Sequence, residues 1–190
     1  MHCHYVYSVK VTPTKQRALD AAIQLVGTQG LRALTHTRVD DHAGLARGST
    51  SNYFRTRQAL LSGVVARLAE FDLTQVGVAF SPTSPDELVD TLCQLFEYMT
   101  REARTQTTAR LILFMEASHT PALQQALSRG RAAMETVVVL ALARLGARDP
   151  QAAATAVAAC VEGHVLHRIA RHDDTDPRPT FDLVVRGALQ

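Results

Sequence analysis

The chain lacks tryptophan, holds three cysteines and contains no long hydrophobic run, and each absence removes a class of protein. Cys3, Cys93 and Cys160 are scattered, odd in number and without a Cys-x-x-Cys pair, so neither a disulfide framework nor a zinc ribbon is encoded. The richest apolar stretch, residues 152–161, is mostly alanine and is broken by Thr155. It falls well short of the roughly 18 residues that cross a bilayer, so no membrane partner is expected. The opening Met-His-Cys-His-Tyr-Val-Tyr-Ser lacks a charged start, an apolar stretch and a small-residue cleavage site, which points to a cytoplasmic, reduced protein. No nucleophile–base pattern, Walker loop or dinucleotide fingerprint occurs, so neither enzyme activity nor a cofactor is expected. Aromatics at 5% argue against an aromatic cage for a cationic ligand.

What the chain does contain is enough apolar material for a core: 46% of 190 residues are hydrophobic. The formal net charge of +2 marks no partner by itself, but it is unevenly spread. Residues 1–60 carry eight Lys/Arg (Lys10, Lys15, Arg17, Arg32, Arg38, Arg47, Arg55, Arg57) against Asp20, Asp40 and Asp41, a local +5. The remaining residues carry twelve basic and fifteen acidic side chains, a local −3. Such a split implies an N-terminal module with an anionic partner and a C-terminal module with another task.

Periodicity predicts helices almost throughout, with strand-like alternation only in the first dozen residues. Leu19, Ala22, Ile23 and Val26 define an amphipathic helix over 15–30, with Thr14 as candidate cap and Gly30 as stop. A two-turn helix follows from Thr35 to Gly44, then a polar segment over 47–54, then a longer helix from Arg57 toward Val78. Ser81-Pro82-Thr83-Ser84-Pro85 reads as a linker, and Ser84-Pro85-Asp86-Glu87 as a capping box. Further helices are expected through Met99, over 105–119, over 121–145 capped by Thr120, over 150–172 capped by Asp149, and over 181–189. Gly130 interrupts one of them, where it would permit a bend or a close helix approach. The expected fold is all-α: a three-helix domain over 13–60 behind an arm over 1–12, then a helical bundle over 61–190.

The informative stretch is Thr35 to Phe54. Two short helices meeting at Gly44, with Leu45 to seal the corner, form a helix-turn-helix, whose second helix enters the major groove. Gly48, Ser49 and Ser51 are small enough to let that backbone approach base edges, and Arg47 and Asn52 offer donors. The positive N-terminal end of the helix can also face phosphate. An all-helical ligand-binding or protein-interaction module with a similar corner is the alternative.

Residues 15–65 resemble the DNA-binding domain of the TetR family of transcriptional regulators, through Thr35, Val39, Ala43, Gly44, Leu45, Gly48, Phe54, Leu60 and Leu61, with Arg57 at the family's lysine. The resemblance implies that Thr35 and Thr37 lie near phosphates, that Arg47 to Ser49 and Asn52 address bases, and that Tyr53 and Arg57 grip the backbone. Arg38 and Ser51 complete the candidate DNA-binding set. Four positions depart from the family pattern: Asp40 stands for alanine, Thr50 for a buried leucine, Ser51 for tyrosine and Tyr53 for histidine. Thr50 would loosen the core or sit closer to solvent. The tyrosine at 53 instead of 51 would move a phosphate contact two residues along.

For the bundle, the helix from Pro150 is apolar on nearly every side, so part of it should face a second copy, together with Phe181–Val185. The resemblance likewise implies a homodimer through the last two helices, a palindromic double-stranded DNA operator and a small-molecule effector in the bundle, most often releasing a repressor. Candidate pocket residues are Phe96, Met99, Phe114, Met115, His119, His164 and His167, against the plainer reading that they are core. His164 and His167 with Glu162 have metal-like spacing but lack a third ligand in register, so packed or surface histidines are expected and no metal. Cys93 and Cys160 read as inert core.

Overall fold

The computed structural model describes residues 12–77 and 80–190. Those residues form α1 (Pro13–Gln29), a single 3-10 turn at Leu31–Ala33, α2 (His36–Ala43), α3 (Ser49–Tyr53), α4 (Arg57–Gly77), α5 (Pro85–Thr100), α6 (Arg104–Ala117), α7 (Pro121–Arg144), α8 (Pro150–Ala170) and α9 (Arg178–Ala188). The strand-like alternation and the arm expected at the start lie outside the described residues, apart from Thr12.

Helix starts follow their caps. Thr12, rather than Thr14, caps α1, accepting from the Lys15 amide, and Pro13 takes the first helical position, where its missing N–H costs nothing. Thr35 accepts from Arg38, Ser84 from Glu87 and Asp149 from Ala152, while Thr120 precedes α7 without a side-chain bond. At α5 the carboxylate of Glu87 reaches back to the amide and hydroxyl of Thr83, both at 2.7 Å, one residue before the cap. The polar segment expected over 47–54 is helical only from Ser49, because Gly48 sits at φ 86°. The last helix begins three residues earlier than periodicity suggests, with Pro179 tolerated in its first turn.

Two apolar clusters divide the chain. The first gathers α1, α2 and the front of α4 around Leu19, Val26, Leu34, Val39, Leu60 and Val64, and it also takes in Ala109, Leu113 and Ala117 of α6 and Leu123 of α7. The N-terminal helices therefore share a core with the bundle. A second cluster joins α5, α7, α8 and α9 through Leu88, Phe96, Leu142, Val157, Val165 and Phe181.

Close backbone approach ties the two parts together. A Cβ at Gly27 would stand 2.2 Å from the Thr105 carbonyl oxygen, and one at Gly130 would stand 2.9 Å from the Ala69 Cβ. Only glycine lets α1 reach α6, and α7 reach α4, at these points. Gly130 thus marks a close approach. Among the described residues no helix is long and apolar enough to cross a membrane.

Candidate DNA interface and effector cavity

The corner between α2 and α3 is built by local chemistry. Gly44 takes the left-handed conformation (φ 60°, ψ 39°) that ends α2, its amide bonding back to Asp40 and Asp41, while Leu45 bonds to the Asp40 carbonyl at 2.9 Å. The Arg17 guanidinium reaches from α1 to donate to the Ala43 carbonyl at 2.6 Å, so a cation sits at the negative end of α2.

The side chain of Asp40 does more. It is 1% exposed, and its carboxylate accepts from the Gly48 amide at 2.8 Å, the Thr50 amide at 2.8 Å and the Thr50 hydroxyl at 2.5 Å. Burial alone raises its pKa, but the hydrogen bonds from Thr50 and Gly48, with the charge of His36, outweigh burial and hold it below the usual carboxylate value. Asp40 is an anion at neutral pH. Two of the four departures from the family pattern are therefore one interacting pair. Thr50 is fully buried and bonded, correcting the expectation that it loosens the core or turns to solvent. The Gly48 and Thr50 amides point inward at Asp40, which corrects the reading of this helix start as a free phosphate-binding end.

At its other end α3 is held by His36, whose Nε2 lies 2.6 Å from the Phe54 carbonyl oxygen. Tyr53 is 41% exposed and its hydroxyl receives the Thr12 hydroxyl at 3.1 Å, tying α3 to the cap of α1. Arg57 donates to the Leu31 carbonyl at 3.0 Å and Arg38 pairs with Gln29, both from exposed positions. Thr35, Thr37, Arg47, Gly48, Ser51 and Asn52 are exposed and Ser49 is half-buried, so all ten candidate DNA-binding residues belong to α2, the turn, α3 or the head of α4. Among the described residues nothing pairs with the side chains of Arg47 or Asn52. Arg32, His42 and Arg55 are also exposed here, and their basic side chains are the signal that would have added them to the set.

In the bundle, a cavity of about 600 Å³ is walled by α4, α5, α6, α7 and α8. Met99 and Phe114 of the pocket candidates line it, as does Glu162, together with Leu68, Ala69 and Met134, which were not among those candidates. The other candidates lie elsewhere. Phe96 and His164 stack edge-to-face with each other and with Phe181, at centroid separations of 5.4–6.3 Å, and Arg168 stands 4.8 Å over the Phe96 ring. Met115 and His119 face solvent, and His167 is half-buried on α8 without lining the cavity. Glu162 pairs with Arg131 at 3.8 Å. Among the described residues no three His, Cys, Asp or Glu side chains gather as a metal site would require. Burial pushes the Cys93 and Cys160 thiols up, so both stay protonated at neutral pH.

The surface of α8 is two-faced. Ala153, Val157, Val161 and Val165 are buried, but Ala152, Ala156, Ala159 and Leu166 form an outward apolar stripe, and Leu183 of α9 is 72% exposed. Phe181 and Val185, expected at an intersubunit face, are buried inside the subunit at 1% and 0%, because α9 is amphipathic and turns them against α5 and α8.

Comparison with known proteins agrees with this architecture. Residues 18–64 match the family described as bacterial regulatory proteins, tetR family, and residues 83–190 match the tetracyclin repressor-like C-terminal domain. No curated protein matches significantly. Among solved structures the chain is similar to a transcriptional regulator from Rhodococcus sp. RHA1 (TM-score 0.81, 20% identity, 94% of this chain and 97% of that one). It is also similar to the multidrug binding protein EbrR complexed with ethidium (TM-score 0.74, 22% identity, 92% and 97%). Salmonella enterica GusR shares the fold too (TM-score 0.75, 20% identity, 93% and 95%). The chain belongs to the TetR family of transcriptional regulators. It is a DNA-binding transcriptional regulator.

Proposed function

We propose that the protein is a homodimeric repressor whose two α3 helices read a palindromic operator and whose cavity binds an uncharged, lipophilic effector that releases the DNA. The observation that carries this reading is the path of α4. Its first residue, Arg57, stands at the DNA-facing end, and Leu68 and Ala69, roughly 17 Å further along the same helix, form part of the cavity wall. A helix is stiff over that length, so a molecule that shifts α4 at Ala69 also shifts its head.

On the DNA side, Arg47, Ser49, Ser51 and Asn52 supply small size and donors for base edges, with Gly48 letting the turn approach, while Thr35, Thr37, Arg38, Tyr53 and Arg57 serve the phosphates. Arg57 would have to exchange its Leu31 carbonyl for a phosphate oxygen. The local +5 of residues 1–60 favours approach to DNA, and the acidic excess of the bundle keeps that half away. Dimerisation through the apolar stripe of α8 and Leu183 of α9 would place the recognition helices about 34–36 Å apart, one turn of duplex.

The effector class follows from the lining. Most cavity residues are apolar, and the charged ones are two arginines, Arg110 and Arg131, against two acids, Glu135 and Glu162. Two cations against two anions, with Glu162 paired to Arg131, leave the wall with no excess of either sign. A neutral apolar molecule suits it better than an ion. The test is duplex titration with and without lipophilic compounds. Release by a neutral compound supports the reading, and release only by charged ones overturns the effector assignment.

A further inference from the structure

We propose that Asp40 is a positioning residue for DNA recognition: its buried carboxylate clasps Gly48 and Thr50 and thereby sets the pose in which α3 meets the bases. The inference rests on the DNA-binding reading above and adds the element that aims the recognition helix.

The argument starts from the length of α3. Five residues make barely more than one turn, and a helix so short has no stability of its own, so its orientation must come from its surroundings. Apolar packing supplies little. The one fully buried side chain within α3 is Thr50, and threonine offers much less apolar surface than a large aliphatic residue would. What holds the N-terminal end is the three-bond clasp to Asp40, two bonds from backbone amides and one from the Thr50 hydroxyl. Bonds to an ionised acceptor are the strong and directional ones. At the C-terminal end the Phe54 carbonyl is taken by His36, one turn before Asp40 on α2. Thus α2 grips α3 at both ends, and α2 is itself pinned by Arg17 and the Gly44 corner.

Two consequences separate aiming from mere stability. The amides of Gly48 and Thr50 are occupied, so Asp40 contributes nothing to phosphate binding, and removing it leaves the non-specific, salt-sensitive part of affinity alone. The base-reading side chains flank the clasp directly, since Ser49, Ser51 and Asn52 lie within two residues of Thr50. A small rotation of α3 misplaces all of them together.

The test uses full-length protein and a duplex that the wild type selects from a randomised pool, with an unrelated duplex as control. D40N keeps the side-chain shape but turns an amide N–H toward backbone N–H groups, T50V removes only the hydroxyl donor, and T50S restores it. For the selected duplex, D40N and T50V are expected to bind about tenfold more weakly, the loss of roughly one charge-assisted hydrogen bond's worth of alignment. Affinity for the unrelated duplex and the salt dependence stay as in the wild type, and T50S recovers the selected duplex. If D40N does not fold, T50V and T50S decide the matter alone. Undiminished binding of the selected duplex by folded T50V, or an equal loss on both duplexes, overturns the aiming role. If the wild type selects no sequence at all, the DNA-binding reading itself fails and takes this inference with it.

Discussion

Gly130 of α7 lies so close to Ala69 of α4 that a Cβ at position 130 would stand 2.9 Å from the Ala69 Cβ. Both residues also line the cavity. On the proposed reading, this contact would carry a shift caused by a bound molecule to the helix that begins at Arg57. Replacing Gly130 with alanine adds one methyl group where there is no room, which costs about 1–3 kcal/mol and pushes the two helices apart. The expected outcome is a folded variant with a lower melting temperature and weaker binding to the selected duplex without any effector. Wild-type DNA affinity in G130A would disconnect this contact from the DNA-binding end.

Filling the cavity should uncouple effector from DNA. Met99 is half-buried in the wall, and M99W introduces a larger ring into the space of about 600 Å³. DNA binding is expected to persist while effector-driven release is lost, as measured by duplex titration with and without a lipophilic compound.

The base-reading and phosphate-binding roles separate by salt dependence. R47A and N52A are expected to cost about 1–3 kcal/mol on the selected duplex and to relax its sequence preference. R57A should weaken binding to all sequences and reduce the salt slope by roughly 1 per subunit.

Acid should act on the α2–α3 clasp. Asp40 has a lowered pKa in the folded chain, so its contribution to stability is fully present above the unfolded carboxylate value, about 3.9. That contribution disappears as pH falls through the still lower folded value. The difference in melting temperature between wild type and D40N is therefore expected to persist down to about pH 4 and to shrink below it. Thermal unfolding across that range checks it.

The outward stripe of α8 makes a further prediction. Leu183 and Leu166 are 72% and 45% exposed, and L183D places a charge on the face assigned to the second copy. Sedimentation should show a shift toward monomer, with loss of tight operator binding and retention of helical content.

Much of the helix order was legible from periodicity and caps, because Thr35, Ser84 and Asp149 announce their helices locally. Thr12 was harder, since Thr14 is as good a cap by type and only the placement of Pro13 decides between them. The Asp40–Thr50 clasp was hidden for a different reason. The two residues are ten positions apart on separate helices, and each alone looks like a defect in a buried site. The cavity was half legible: helical spacing groups Met99, Phe114, Phe96 and His164 as bundle residues, but does not tell that Met99 and Phe114 line the cavity while Phe96 and His164 pack around Phe181, nor that Phe114 stays 52% exposed. Gly27 left no signal, because its reason is the Thr105 carbonyl, far away in the chain.

The most direct test of the central claim is a titration of the full-length protein against its selected duplex and a random duplex at physiological salt. A regulator of this kind is expected to bind the selected duplex as a dimer at least about 10³-fold more tightly, with the preference abolished in R47A/N52A. Equal affinity for the two duplexes would contradict it.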